Sequence, residues 1–507
     1  MAKDSSELHA PSPLHQAAAQ SPEYPALIWH RDGTRQELSY KSLSQKVIAL
    51  AEQLSEKGLS VGDRLACVDN NSVELVILYW ACIDTGILFC PLSPRFPIEQ
   101  IAELIKQHRL NYIWAGNEYS PLFSRHQAQL TQAPERLFLS SELSTTKLEL
   151  DFTATSLNSA AKTTTTIPAN IILTSGSSGK PKAAVHSLGN HLASAKGSSA
   201  LIPLNAGDGW LLSLPLFHIG GLAILNRCAL AAATVVMQDK EMSLAAQLGQ
   251  DPITHLSLVS TQLVRLLDSE PDEKTTSCLN GIKSLLLGGG AIPLDLIDKL
   301  NTLSIISFTS YGMTEMSSQI TTGPASGDGN SGQTILGREV KILDELIYVK
   351  GETLFLGYLN WQENQPQLDL PLDDEGWFAT KDRGYWDKQG NLHILGRSDN
   401  MFICGGENVQ PEEIEAALKQ HPDIEDAIVF PQANNEFGNL PAAIIKFADP
   451  EQGFISREPE SKTLEQFLNE QIARFKRPRV YYPWPEIKSV SLKVSRKQVI
   501  QAALKGD

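Results

Sequence analysis

An apolar strand that runs directly into a glycine- and hydroxyl-rich loop with lysines sets the first limit on this chain. Residues 170–173 read as the strand, and they lead into Thr174-Ser175-Gly176-Ser177-Ser178-Gly179-Lys180-Pro181-Lys182. Glycines in such a loop let backbone N–H groups approach phosphate oxygens, and the hydroxyls add donors. Lys180 or Lys182 can supply positive charge to a polyphosphate. The string is not a Walker A loop. Gly176 lies two residues too close to Gly179-Lys180, and Pro181 stands where a magnesium-binding Ser or Thr belongs.

The flanking sequence alternates between two periods. Residues 41–57 and 72–84 carry apolar side chains at helical spacing, while 64–68 and 87–92 read as short buried strands. Further strands are expected near 209–214, 233–237, 284–287 and 304–309. Helices alternating with short apolar strands predict an α/β layer structure. Residues 140–168 are rich in Ser and Thr with weak periodicity and read as a surface connection. Composition shifts again near 397–400. Before the shift lies a turn-rich β pattern with a hairpin loop at Asp387 to Asn391; after it, Pro411 opens a helix with acidic residues in its first turn. The expectation is a large N-terminal multilobed α/β domain over 1–397 and a small C-terminal α+β domain over 398–507.

Composition narrows the class of partner. Among 507 residues, 43 are Lys or Arg and 58 are Asp or Glu, giving a net charge of −15. A hydrophobic content of 42% can bury a core and excludes a disordered chain or a disulfide scaffold. The acidic balance argues against a nucleic-acid-coating protein. Residues 471–507 invert that balance, with nine basic residues against two acids. An acidic body with a basic end suits a polyanionic small ligand. The six cysteines (67, 82, 90, 228, 278 and 404) form no Cys-x-x-Cys pair and read as reduced, buried thiols of a cytoplasmic protein. The first residues lack an apolar signal core. Glu74, Asp84, Gly86 and Pro91 interrupt the most apolar window, so no membrane span is expected. Monomer and homo-oligomer both stay open.

Four further motifs follow the glycine loop in order. They are Ser310-Tyr311-Gly312-Met313-Thr314-Glu315, then Gly376-Trp377-Phe378-Ala379-Thr380-Lys381-Asp382 with Gly396-Arg397-Ser398-Asp399, then Cys404-Gly405-Gly406-Glu407-Asn408-Val409, then Lys493-Val494-Ser495-Arg496. In this order and across essentially the whole chain, they resemble the acyl-adenylate-forming superfamily of acyl-CoA synthetases, adenylation domains and luciferases. The resemblance implies that Thr174 to Lys180 cradle ATP phosphates and that Glu315 holds Mg²⁺ between them, as a hard oxygen ligand. It places Thr314 on the adenylate phosphate, and Tyr311 and Gly312 beside adenine. Gly289, Gly290 and Ala291 would allow close approach of the purine. Asp382 would accept ribose hydroxyls, and Arg397 would reach ribose or phosphate. Lys493 would stabilise charge developing on the α-phosphate. Leu492 departs from the family's usual glycine before that lysine, and Lys497 is a nearby alternative. Asp399 matches the hinge about which the small domain rotates, and Gly405 and Gly406 the loop that meets the CoA thiol.

More local strings speak to the acid. Pro215 to Gly221 with His218, continuing to Arg227, puts a His and an Arg in an apolar stretch where each needs a partner. With Ser257 to Leu263, Gly351 to Leu354 and Phe437-Gly438, these strings resemble the o-succinylbenzoate:CoA ligases of menaquinone biosynthesis. That resemblance implies a dicarboxylate aromatic substrate, with Arg227 on the aromatic carboxylate, His218 walling the acyl channel, and Ser260 and Thr261 in water-mediated contacts. Its co-substrates would be ATP and CoA. An aryl or medium-chain acyl-CoA ligase and a stand-alone adenylation domain are the alternatives.

Overall fold

The computed structural model describes residues 9–121, 146–160, 162–174, 181–268, 279, 281–288, 294–326, 329–398, 400–409, 411–447, 459–485 and 496–504. The chain divides into two compact units. One takes residues 1–94, 104–174 and 183–396, and the other takes 95–103, 175–182 and 397–507.

The larger unit is built on two large sheets. The nine-stranded sheet has a parallel centre, running Ser307–Met313, Ser284–Leu287, His255–Leu258, Gly209–Leu212, Thr234–Met237 and Pro25–Arg31 from neighbour to neighbour. Antiparallel strands close its two edges. The eight-stranded sheet holds Arg64–Val68 between Leu88–Leu92 and Tyr112–Ala115, all parallel. Further along, it places Pro168–Thr174 beside Lys182–Ser187 and then Gly357–Gln362. The two flanks of the glycine loop are therefore neighbouring strands.

One core serves both sheets. The helix Val73–Thr85 buries every residue from Leu75 to Ile83, as a helix apolar all round must. Ser72 caps its start by accepting from the Leu75 N–H, and Gly86 ends it at φ 71°. The core around it joins Leu65 and Phe89 of one sheet to Leu27, Trp210 and Val235 of the other. Helix Tyr40–Glu56 adds Leu43, Val47 and Leu50 to the same core, and its Tyr40 hydroxyl donates to the Cys228 and Ala233 carbonyls.

The expected helices appear as Tyr40–Glu56 and Val73–Thr85, and the expected strands at 64–68 and 284–287 appear with those limits. Two expectations need correction. The described part of 140–168 is more than a surface connection: Leu148 is buried, and Phe152 packs on the core. Asp151, Phe152 and Ser156 bond along helix Tyr40–Glu56 through Gln53, Lys46 and Glu52. The Ser/Thr-rich stretch gives that helix a polar cover, which has no periodicity to read. The strand His255–Leu258 was not among the expected strands; His and Ser alternate there with leucines in only four residues.

The smaller unit is α+β. Its antiparallel pair Ile424–Asn434 and Gly438–Phe447 takes Val480–Pro483 in parallel at one edge. Helices Pro411–Leu418 and Pro459–Asn469 share its core of Ile414, Leu418, Val429, Ile445 and Leu468. The five described cysteines are free and buried, and Cys278 lies outside the described residues. Among the described residues, no helix is long and apolar enough to cross a membrane.

Candidate active site

The strand Ser307–Met313 ends in a single 3-10 turn, Thr314–Met316. Gly312 sits at a register shift opposite Gln319, where a Cβ would lie 2.1 Å from the Ser318 carbonyl oxygen; no other residue fits without backbone movement. The turn beyond it is held from several sides. His186 Nε2 donates to the Thr314 carbonyl at 2.7 Å. The Phe355 N–H donates to the Glu315 carbonyl at 2.8 Å, and the Tyr358 hydroxyl donates to Glu315 Oε1 at 2.6 Å. The Ser194 hydroxyl donates to the Ser317 carbonyl, while Ser317 Oγ donates to that of Thr353. The Glu315 carboxylate is thus presented from a rigid backbone. The Thr314 side chain is half-buried.

Four residues before Glu315, Tyr311 donates through its hydroxyl to Asp382 Oδ2 at 2.5 Å. Asp382 lies on Phe378–Trp386 and is buried. The preceding Thr380 hydroxyl anchors that strand to the Ile347 carbonyl and accepts from the Asp382 N–H. The structure therefore brings together Tyr311 and Asp382, two residues that the sequence separates by 71 positions. Thr174 closes the strand entering the glycine loop. Ser175 to Lys180, Gly289, Gly290 and Ala291 lie outside the described residues, while the neighbouring Gly288 N–H donates to the Leu258 carbonyl.

Arg227 and His218 occupy opposite ends of one helix, Ile219–Ala231, about 13 Å apart by helix rise. His218 is the residue before the helix, and its ring meets Phe217 edge-on at 4.9 Å. Arg227 is only 5% exposed, yet it makes no ion pair among the described residues. Its Nη2 donates to Gln319 Oε1 at 2.6 Å, and its guanidinium lies over the Trp210 ring at 5.0 Å. Its Nε has no partner among the described residues. Arg338, also buried, bonds to the Gln319 carbonyl and to Ser194 Oγ. Burial pushes the Arg227 pKa down to about 10. Burial and the charge of Arg227 bring that of Arg338 down to about 9. Both stay cationic at neutral pH. Arg227 also lines a cavity of about 130 Å³ with Trp210, Ala195, Ser198, Ile202 and Leu204.

Ser260 and Thr261 begin the helix Ser260–Asp268, and their side chains lie outside the described set. The segment before them is fixed by Trp210 Nε1 donating to Ser257 Oγ at 3.0 Å and Gln262 Nε2 donating to the Ser213 carbonyl at 3.1 Å. In the smaller unit, Gly405 and Gly406 turn the hairpin between Phe402–Cys404 and Glu407–Val409 at φ 57° and 84°. The Gly405 N–H bonds to the Phe437 carbonyl. Asp399, Leu492 and Lys493 lie outside the described residues, as do the side chains of Arg397 and Lys497. Sequence reasoning missed Tyr358, His186 and Gln319. Each lies four residues beyond a string it had singled out: His186 after Lys182, Gln319 after Glu315 and Tyr358 after Leu354.

Residues 14–359 match the family of AMP-binding enzymes, and 413–490 match the AMP-binding enzyme C-terminal domain. The chain belongs to the AMP-binding enzyme family. Within it, this AMP-binding enzyme is 34% identical to the 2-succinylbenzoate–CoA ligase of Haemophilus influenzae, over 93% of its own length and 94% of that protein. In structure it resembles the o-succinylbenzoate CoA synthetase MenE of Bacillus subtilis, as a double mutant bound with the product analogue OSB-NCoA. The TM-score is 0.80 at 26% identity, covering 97% of this chain and 99% of that one. Structures of the Bacillus subtilis protein with the acyl-adenylate intermediate OSB-AMP and with ATP and magnesium ion each give a TM-score of 0.65 at 26% identity and 97% coverage of this chain. They cover 98% and 100% of those chains.

Proposed function

We propose that this enzyme joins o-succinylbenzoate to coenzyme A at the expense of ATP, through an acyl-adenylate, as a step of menaquinone biosynthesis. The observation that carries the reading is Arg227: a buried guanidinium with no carboxylate partner among the described residues, set among apolar and aromatic side chains. A buried cation left without a counter-ion is costly unless an anionic ligand completes the site. A substrate with a carboxylate at each end supplies one to Arg227 and leaves the other for the chemistry. The relatives' names and bound ligands support the same substrate.

In the first step, a succinyl carboxylate oxygen attacks the α-phosphorus of ATP, and pyrophosphate leaves with the electron pair of the broken P–O bond. Thr314 bonds the α-phosphate, and Lys493 approaches the charge that develops there. The glycine loop from Thr174 through Lys180 holds the departing phosphates. Asp382, oriented by Tyr311, receives the ribose hydroxyls, with Arg397 beside it, and Gly289, Gly290 and Ala291 border the purine. In the second step the CoA thiolate attacks the acyl carbon and AMP leaves. Gly405 and Gly406 border the thiol path, and Asp399 is the pivot of a domain running from 398 to 507 against one ending at 397.

The donor set fits magnesium. Among the described residues no three His, Cys, Asp or Glu side chains could hold a metal by themselves. Mg²⁺ needs no such cage, because it keeps waters and takes phosphate oxygens, and Glu315 supplies one rigid carboxylate. Bound there, Mg²⁺ neutralises charge on the ATP phosphates. Water-soluble, charged substrates suit a cytoplasmic enzyme.

The test is a coupled assay of pyrophosphate and CoA thioester with o-succinylbenzoate beside benzoate, octanoate and acetate. Turnover confined to o-succinylbenzoate is expected. Preference for another acid would move the enzyme to a different acyl-CoA ligase, and pyrophosphate without thioester would point to a carrier protein as acceptor.

A further inference from the structure

The two strands flanking the glycine loop each carry a polar side chain into the core. On the strand that leaves the loop, Lys182–Ser187, His186 is fully buried. Its Nε2 lies 2.7 Å from the Thr314 carbonyl oxygen, which can only accept, so Nε2 carries the hydrogen. The His191 ring lies 5.4 Å away, and its Nε2 is 2.6 Å from Oδ1 of Asn170, on the strand that enters the loop. His191, on the helix that follows, thus links the Asn170 side chain of one flank to the His186 ring of the other, and His186 is bonded to the turn that bears Thr314 and Glu315. The same strand also pairs Ala184 with Tyr358, the residue whose hydroxyl holds Glu315.

A packing role alone explains this poorly. Both imidazoles leave Nδ1 buried with no partner among the described residues, a cost that an apolar pair would avoid. Burial pushes the His186 pKa down to about 4, so the ring is neutral near pH 7. A neutral donor can fix a carbonyl without adding a cation beside the carboxylate that meets magnesium.

We propose that His186 is a positioning residue for acyl-adenylate formation, fixing the Thr314–Glu315 turn to the strand that leaves the glycine loop. The proposal rests on the assignment of Thr314 and Glu315 to the adenylation step. His186 touches no reacting atom; it acts through the Thr314 carbonyl.

Two half-reactions separate this role from simple stability. In the full-length protein, His186→Leu removes the donor, and His186→Gln keeps an N–H donor of similar reach. Acid-dependent exchange of pyrophosphate into ATP reports adenylation. Thioester formation from separately prepared acyl-adenylate reports the second step. His186→Leu is expected to lower the exchange kcat by about tenfold, the scale of a small misplacement of reacting groups. The KM for the acid and the second half-reaction should stay within about twofold of the parent protein. His186→Gln should recover most of the exchange rate. Equal loss in both half-reactions, or no loss in either, overturns the proposal. Should His186→Leu not fold, His186→Asn serves instead, because its shorter amide falls short of Thr314. Selective loss of exchange is expected again, and a normal exchange rate overturns the proposal. Glu315→Gln tests the underlying assignment. If it leaves exchange intact, that assignment fails and the proposal with it. If it abolishes exchange while His186→Leu does not, only the positioning role fails.

Discussion

Replacing Arg227 with Leu separates substrate recognition from stability. Among the described residues this guanidinium meets one neutral acceptor, Gln319 Oε1, and the Trp210 face. The substitution removes a charge–neutral hydrogen bond but also relieves a buried cation that has no carboxylate partner among the described residues. Gln319 Nε2 keeps its bond to Thr322 Oγ1 at 2.7 Å. The two effects offset, and stability should change by less than about 1 kcal/mol. Binding has no such compensation. A carboxylate received by Arg227 makes a charge-assisted hydrogen bond, worth about 2 kcal/mol, or roughly a 30-fold rise in the KM for o-succinylbenzoate. The KM for ATP and the kcat should move by less than about threefold, because the reacting carboxylate lies at the other end of the substrate. Arg227→Lys should fall between, since an ammonium keeps the charge and loses the planar fork. Pyrophosphate release, with each substrate varied at saturating levels of the other, measures both constants, and a thermal melt measures stability. Equal rises in both KM values would refute the reasoning.

Three further substitutions or conditions test the surrounding geometry. Tyr358→Phe removes the donor on Glu315 Oε1; adenylation should slow about fivefold and need more Mg²⁺, with stability lower by about 1 kcal/mol. Pyrophosphate release across a magnesium series checks this. Gly312→Ala drives a Cβ against the Ser318 carbonyl and should cost about 2 kcal/mol, read as a lower urea midpoint. Acid should destabilise the protein partly through His186, whose folded pKa of about 4 lies below its ordinary 6.5. Between those values the unfolded chain binds the proton and the folded protein does not, so stability falls as pH drops through that window. One such histidine is worth about 3 kcal/mol, and His186→Gln should flatten the decline of the melting temperature from pH 6.5 to 4.

The residues legible in the sequence are those whose chemistry is spelled locally. A strand feeding Ser, Gly and Lys, or a strand end carrying Thr-Glu, is a pattern within ten positions. The helix Val73–Thr85 was legible because every turn of it is apolar. Arg227 was legible as an expensive burial, although the chain does not show that its neighbours are Gln319 and Trp210, 92 and 17 positions away in sequence. Tyr358, His186 and Gln319 carry no local signal. Each is a single polar residue in an ordinary strand, and its role exists only where sheet pairing brings it to Glu315, Thr314 or Arg227. The stretch near 146–160 was misread for a related reason: its contacts with helix Tyr40–Glu56 come from scattered polar atoms, which leave no period.

A common rule governs the partners that the sequence hid. Several buried aspartates of the larger unit have a basic side chain as partner: Asp84 has His15 at 2.6 Å, Asp208 has Lys283 at 2.6 Å, and Asp251 has His30 at 3.0 Å. Glu315 and Arg227 are instead held by a tyrosine hydroxyl and a glutamine amide. Neutral partners fix a charged group in place and leave its field for a ligand, whereas a buried counter-ion would cancel that field. Gln319→Glu tests the rule directly. A carboxylate at the place of Gln319 Oε1 pairs with Arg227 in the empty enzyme, so the melting temperature should hold or rise. The incoming substrate carboxylate must then displace that pairing or share the guanidinium, and the KM for o-succinylbenzoate should rise about tenfold. Lower pH, by protonating the new glutamate, should reverse part of the rise. An unchanged KM would mean that the charge of Arg227 is not what meets the acid.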